Sequence, residues 1–242
     1  MRTDFLLSRL LKWGRWPGYN RGRRVQVGGL TVNYRFNRGD LQSLREVLIE
    51  EVYACELLFA PRSLLDLGAN IGLWSLWMAA RASEARKPHI LAVEPVAENA
   101  RVTEANFQAN ALPGRVIEAA VGRRSGEAWF EKRNESNLGR VVGTHDGVGR
   151  IRVPVIGIDD LLAQFPDGRV DVVKMDIEGA EAELLTDDVS WLSRVRALMV
   201  EWHEDRADPA PLIRNVEAAG FQHQRLNMRR QDNLSLFLRN QP

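Results

Sequence analysis

The chain is expected to fold as an α/β domain built on a doubly wound, mostly parallel sheet with helices on both faces. Two observations carry that expectation. From residue 63 onward, short apolar segments alternate with helical stretches, the pattern of repeated strand–helix units. One of those segments, VVKMDIEGAE (172–181), is apolar at its start yet places Asp176, Glu178 and Glu181 where a buried strand should end. Doubly wound sheets keep their ligand sites outside the carboxyl ends of the strands. The charge therefore falls where such a fold keeps its chemistry.

The first 24 residues stand apart. They hold seven Lys/Arg against Asp4 alone, while the rest of the chain carries 26 basic and 31 acidic residues. Residues 1–24 are set off as a basic N-terminal extension, and 25–242 as a single domain that begins with a hairpin and a helix. Within the extension, Phe5, Leu6, Leu10 and Trp13 can share one helical face. That face suits packing on the domain or on the mate of a homodimer; a substrate lid or a peripheral membrane contact through residues 1–24 is the alternative.

VQVGGLTVNY (25–34) alternates as a hairpin turning at Gly28-Gly29, and residues 40–59 read as a helix that Pro61 stops. Ser63–Leu67 is a strand, 71–82 a helix and His89–Val93 a strand; Pro95, well placed as a first helical residue, opens a helix to about Asn110. Val116–Val121 is the next strand. Residues 131–150 form a polar, glycine-rich loop long enough to bind something, with Ser136, Asn137 and Arg140 in reach of a ligand and His145 exposed. Val170–Met175 and Ala197–Glu201 are strands, with a helix from about Gly179 to Leu185 between them. Asp208 reads as an N-cap, Pro209 as the first helical residue and Gly220 as the stop. Phe221–Arg225 and Leu234–Leu238 then close the sheet as an antiparallel pair. Trp74 and Trp77 on the 71–82 helix should be core.

A hydrophobic fraction of 45% and a charged fraction of 27% are those of an ordinary soluble protein, and a net charge of +1 gives no field that would draw nucleic acid. Cys55 is the only cysteine, so no disulfide forms within the chain, and a cytoplasmic location is expected. No apolar run approaches the roughly 20 residues that span a bilayer, and the start lacks a small-residue cleavage site.

The cofactor signal is LLDLGANIGLWS (64–75). An apolar strand ends at Asp66, the turn carries Gly68, Ala69, Asn70 and Gly72, and the helix that follows brings Ser75 to the same site. Glycines let backbone approach a ligand closely, and a helix N-terminus offers free N–H groups to an anion. The next strand ends at Glu94-Pro95, where an acid is placed to take both hydroxyls of an adenosine ribose. The loop lacks the G-x-G-x-x-G spacing of a dinucleotide site. A carboxylate-bearing nucleoside, S-adenosylmethionine (SAM), fits it better. In RVIEAAVG (115–122), Glu118 or the backbone at Ala119 and Ala120 is placed to read the adenine edge.

Together the motifs resemble the FkbM family of SAM-dependent methyltransferases. The matching stretches are DLGANIG (66–72), VEPVAENARVTEANFQAN (93–110), AAVGRRSGEAWF (119–130), VIGIDDLL (155–162), KMDIEGAEAELL (174–185) and VEWHED (200–205), of which KMDIEGAE is the most specific. The resemblance implies a Rossmann-like class I methyltransferase fold with a seven-stranded sheet and an antiparallel last strand. It implies that Asp66, Gly68, Asn70, Gly72 and Glu94 belong to the cofactor site, and that the acceptor is a hydroxyl of a sugar, glycan or natural product.

A hydroxyl is a poor nucleophile at neutral pH, so the site must position it and assist loss of its proton. Asp176 and Lys174 share a strand face, as do Glu201 and His203. If their strands are neighbours, Asp176, Glu201 and His203 converge. His203 is the favoured base because its ordinary pKa lies near neutrality. Asp176 is the alternative, Glu201 orients His203 or binds a substrate hydroxyl, and Lys174 neutralises the acidic patch. An Mg²⁺ ion held by Asp176 and Glu201 is a second way to acidify the hydroxyl. Glu181 and Glu183 are expected to be solvated or ion-paired. Two competing readings are a nicotinamide-dependent oxidoreductase and a non-catalytic scaffold docking through its basic head. The first is disfavoured because none of Tyr19, Tyr34 and Tyr53 has a lysine four residues on.

Overall fold

The computed structural model describes residues 18–82, 87–132, 139–142, 150–226 and 233–240. Strand β1 (Gly22–Val27) pairs antiparallel with β2 (Leu30–Arg35) through a turn in which Gly28 and Gly29 take φ of 54° and 84°. Two left-handed residues give a two-residue turn the twist its strands need. β1 begins inside the segment set off as the N-terminal extension. Residues 1–17 of that extension, with Trp13 and Trp16, lie outside the described residues.

Helix α1 (Arg38–Leu44) starts at Asn37, whose side chain accepts from the Asp40 N–H. It runs on as a π-turn over Arg45–Ile49 and ends there, well short of the expected end at 59. Glu51, at φ 51°, breaks it. The break turns Val52 and Tyr53 inward, leaving them 2% and 4% exposed. Burial of two large apolar side chains outweighs the few tenths of a kcal/mol per residue that helix propensity offers.

From there the expected rhythm holds: β3 (Ser63–Leu67), α2 (Leu73–Arg81), β4 (His89–Val93), α3 (Ala97–Ala109) and β5 (Gly114–Ile117). The expected strand 116–121 is divided. β5 ends at Ile117, and β6 (Ala120–Gly122) joins a second sheet with β7 (Gly126–Lys132), β8 (Gly139–Val142) and β9 (Arg150–Gly157), in the order β6-β9-β7-β8. The described residues of the expected 131–150 loop are therefore strand, with Arg140 opposite Glu131 in the β7–β8 pair. The alternation of β7 explains the difference: it sends Phe130 inward against Val96, Ala120 and Val153, a small core that fixes the sheet. Ser136, Asn137 and His145 lie outside the described residues.

Helix α4 (Ile158–Leu162) leads to β10 (Val170–Met175), α5 (Glu181–Leu185), β11 (Val195–Glu201), α6 (Pro209–Ala218), β12 (Phe221–Arg225) and β13 (Leu234–Arg239). Asp208 caps α6 by accepting from the Ala210 N–H at 3.0 Å, as its sequence position suggested. The main sheet has the order β12-β13-β11-β10-β3-β4-β5, and every pairing is parallel except the two made by β13. This is the seven-stranded class I methyltransferase arrangement implied above. Alternate residues enter opposite cores: Leu64 packs on one face, Leu65 and Leu67 on the other, all fully buried. Trp74 and Trp77 are core, as expected.

The chain lays down β3, β4 and β5 to one side and later β10 and β11 to the other. Strand order thus reverses between β3 and β10, which opens a crevice at their carboxyl ends. Among the described residues no helix is long and apolar enough to cross a membrane.

Candidate active site

The crevice is a cleft of about 370 Å³, within the range of small-ligand sites. Its floor is the loop after β3. Gly68 has φ 72°, and a Cβ there would lie 1.8 Å from the Asp176 carbonyl oxygen. Only glycine allows this loop to touch the end of β10 backbone to backbone. Asp66 is fully buried and does not face the cleft; its Oδ2 accepts from Ser75 Oγ at 2.7 Å and its Oδ1 lies 3.4 Å from Lys174 Nζ. Ser75, also fully buried, secures the loop from behind and stands away from the lining.

At one end of the cleft Glu94 is 5% exposed. Its carboxylate accepts from the Asn70 N–H at 2.8 Å, the Val96 N–H at 3.0 Å and Asn99 Nδ2 at 3.2 Å. Burial raises its pKa to about 7 despite those donors. Three N–H groups fix the carboxylate while leaving acceptor capacity among its roughly four lone-pair sites. Pro95 lines the cleft but lies outside the helix it was expected to open, which begins at Ala97 after a cap at Val96. Ala119 and Ala120 line the same end and are 3% exposed. Glu118 is exposed and off the lining, because the chain changes sheets there and turns its side chain outward. Asn70 contributes more than its position in the loop predicts: Nδ2 donates to Ser43 Oγ at 3.0 Å, while Oδ1 is buried without a partner.

The other end gathers charge. Lys174, 4% exposed, donates to the Gly68 carbonyl at 2.6 Å and lies 3.3 Å from Asp176. Burial works against its charge, yet Asp176 and Asp66 outweigh burial and hold the ammonium well above the ordinary lysine range. Its expected neutralising role is thus what the geometry shows. β10 and β11 are neighbours, so Asp176, Glu201 and His203 do converge on the cleft.

Their partners differ from the expectation. His203 Nδ1 contacts Glu181 Oε1 at 3.0 Å, and Nε2 lies 3.8 Å from Asp176 and 3.6 Å from Glu178. Burial alone would drive the proton off; Glu181, then Asp176 and Glu178, overcome it and raise the pKa to about 9. The imidazole therefore keeps its proton at neutral pH and cannot accept another in this state. Glu181, expected to be solvated or ion-paired, is 3% exposed and paired with His203, which it orients in place of Glu201. Glu201 instead accepts from Tyr53 Oη at 2.9 Å, and burial followed by Asp176 raises its pKa to about 7. The expected metal pair is also regrouped. Asp176, Glu178 and His203 place ligand atoms within 4.8 Å of one another and can bracket a divalent ion, and Glu201 is outside that group.

A seven-stranded sheet with this order, a glycine loop on β3 and an acid ending β4 define a class I methyltransferase fold with its binding cleft at the switch point. The methyltransferase FkbM domain model matches residues 66–223, and the chain belongs to that family. It is 29% identical over 203 residues to the AMB antimetabolite synthetase AmbE of Pseudomonas aeruginosa, a match covering 67% of this chain and 9% of that protein. It is 27% identical over 214 residues to methyltransferase sdnD of Sordaria araneosa, covering 73% and 80%. A methyltransferase FkbM from Methylobacillus flagellatus superposes with a TM-score of 0.52 at 19% identity, over 75% of this chain and 44% of that one. The chain thus spans a small part of the synthetase and under half of the solved structure.

Proposed function

We propose that the protein is a SAM-dependent O-methyltransferase acting on a hydroxyl of a sugar, glycan or natural product. The observation that carries this reading is the cleft itself, which joins a ribose-ready carboxylate at Glu94 to a cluster of titratable groups at the ends of two adjacent strands. The residues fit the cofactor: Glu94 retains acceptor capacity, Asn70 Oδ1 is a buried acceptor without a partner, and Ala119 and Ala120 leave flat space. Glu94 would hold the ribose, the Gly68–Gly72 loop the amino-acid tail, and the backbone at Ala119 and Ala120 would flank the base. Bound there, SAM supplies an electrophilic methyl group for in-line transfer.

The chain's own residues then have three tasks. Asp176, held by Lys174, orients the acceptor hydroxyl. Glu201 receives its proton, because its pKa of about 7 suits a base working near neutrality. Tyr53 fixes the Glu201 carboxylate. His203, protonated, offsets the surrounding acids. Mg²⁺ at Asp176 and Glu178 would be a second route to the same deprotonation, and activity in chelator tests it. The natural-product class of acceptor is supported by the likeness to a domain within an antimetabolite synthetase.

The test is incubation with methyl-¹³C SAM and a metabolite extract. The carbon shift of the transferred methyl distinguishes oxygen from nitrogen or carbon attachment, and calorimetry with S-adenosylhomocysteine (SAH) reads the cofactor directly. Absence of SAH binding, or a product labelled on nitrogen, overturns the reading.

A further inference from the structure

We propose that Trp74 is a cofactor-binding residue whose indole N–H donates to the α-carboxylate of the SAM amino-acid tail at the start of α2. This rests on the SAM-dependent reading above and adds one side chain to the Gly68–Gly72 loop as a holder of the tail.

Helix α2, nine residues long, starts without a cap. The first N–H groups of a helix have no partner within it, and a Ser, Thr, Asp or Asn at the N-cap usually takes one of them. Here the N-cap is Gly72, at φ 77°, and no side chain caps the helix. None of the usual capping residues would fit, because a Cβ on Gly72 would lie 2.7 Å from Thr103 Cγ2. The opening turn is nonetheless shut off from water: Leu73, Trp74 and Ser75 are 3%, 2% and 0% exposed. Leu73 and Trp74 both line the cleft. A buried helix start of this kind needs acceptors from outside the helix, and its positive end favours an anion.

A second, independent group points the same way. Trp74 Nε1 is buried and has no hydrogen-bond partner among the described residues. An indole N–H can only donate, and a buried donor left unmet is costly. Helical side chains lean toward the N-terminus of their helix, so the indole of the second residue of α2 leans toward the loop before it. Trp77 sets the contrast. Its Nε1 is also buried without a partner among the described residues, but the ring lies 3.9 Å from the Arg81 guanidinium and stands off the cleft. The acceptor that Trp74 needs comes from what fills the cleft. On SAM, Glu94 takes the ribose hydroxyls and Ala119 and Ala120 flank the base. The one anionic group of the cofactor, its α-carboxylate, is left for the donors at the start of α2. Asn70 Oδ1, a buried acceptor four residues before Trp74, suits the adjoining ammonium. Both side chains are neutral, so together they match a zwitterion.

The test reads the indole directly. In the full chain, labelled with ¹³C and ¹⁵N, the Trp74 indole N–H is assigned by triple-resonance NMR and followed during titration. SAH should move its proton downfield, as should deaminated SAH, which keeps the carboxylate. Decarboxylated SAH, which keeps the adenosine, the sulfur and the amine, should not. By calorimetry, Trp74→Phe should weaken SAH by about tenfold or more, as loss of a hydrogen bond to a charged group implies, and leave decarboxylated SAH unchanged. Trp77→Phe should change neither. Should Trp74→Phe fail to fold, the unsubstituted protein still decides through the indole shift and through its preference for SAH over decarboxylated SAH. An indole proton unmoved by SAH, an equal shift with decarboxylated SAH, or a Trp74→Phe that weakens both ligands alike overturns the proposal. A shift produced only when glycolate, a small carboxylate fragment, is added to SAH-loaded protein hands the donor to the acceptor and overturns it too. Failure to bind any of the three nucleosides would instead sink the cofactor reading on which this one stands.

Discussion

At the Glu94 end of the cleft, one buried carboxylate is held by three neutral N–H donors. At the Glu201 end, Asp176, Glu178, Glu181 and Glu201 gather around Lys174 and His203. The first end is held by donors that do not titrate, and Glu94 alone among its groups changes charge, with a pKa raised by burial to about 7. The second is organised by mutual charge, so its protonation pattern depends on its occupant.

The largest perturbation should erase the comparison altogether. Gly68→Ala forces a Cβ against the Asp176 carbonyl and an unfavourable φ, and should cost about 3 kcal/mol or more. Urea denaturation measures it, and a native-like midpoint would show that the two ends are less tightly joined than described. Next, Glu94→Gln should weaken SAH by roughly 30–100-fold, the loss of charge-assisted bonds worth about 2–3 kcal/mol. Calorimetry decides, and the acceptor end should be untouched in fragment binding.

A smaller effect is expected of Tyr53→Phe, about 1–2 kcal/mol of stability. It removes a donor that lowers the Glu201 pKa, so the acidic limb of the rate profile should move to higher pH while SAH affinity stays constant. If the limb does not move, Glu201 is not the proton acceptor.

Solution pH sharpens the contrast without mutation. Glu94 and Glu201 rise from about 4.5 to about 7 on folding, and His203 from 6.5 to about 9. For every group raised above its unfolded value, the stabilising contribution is present at low pH and lost as pH climbs through the folded value. The melting temperature of the ligand-free protein should therefore fall by a few degrees between pH 5 and 9. SAH should stabilise more strongly above pH 7, where Glu94 is ionised. The smallest effect belongs to Glu118→Ala: an exposed side chain off the cleft should change neither stability by more than about 0.5 kcal/mol nor SAH affinity.

The parts of the site legible in the sequence are those in which chain neighbours do the work. Gly68 and Asn70 lie in one strand–turn–helix and Glu94 ends the adjacent strand, so local pattern placed all three on the cleft, while Asp66 and Gly72 of the same loop stand off its lining. Lys174 was readable as a neutraliser because Asp176 is two residues away on the same face. Tyr53 was not, since its partner Glu201 is 148 residues distant and its own segment looks helical until Glu51 breaks it. The acidity around His203 was hidden for a similar reason: residue type alone puts its pKa near neutrality, and only the fold brings Glu181 and Glu178 to it. Glu118 was misplaced because residues 116–121 were read as one strand, where the backbone leaves one sheet for another.

The missing side chain at Gly68 has a further consequence. Main chain from two distant parts of the sequence meets there with no atom to spare, so the loop proposed to seat the cofactor and the end of β10 are joined backbone to backbone. Divergence toward a new substrate would have to leave that seam alone and work on the outlying walls, the π-turn bearing Glu46 and the turn bearing Arg206. Those walls are the places to engineer a different acceptor preference.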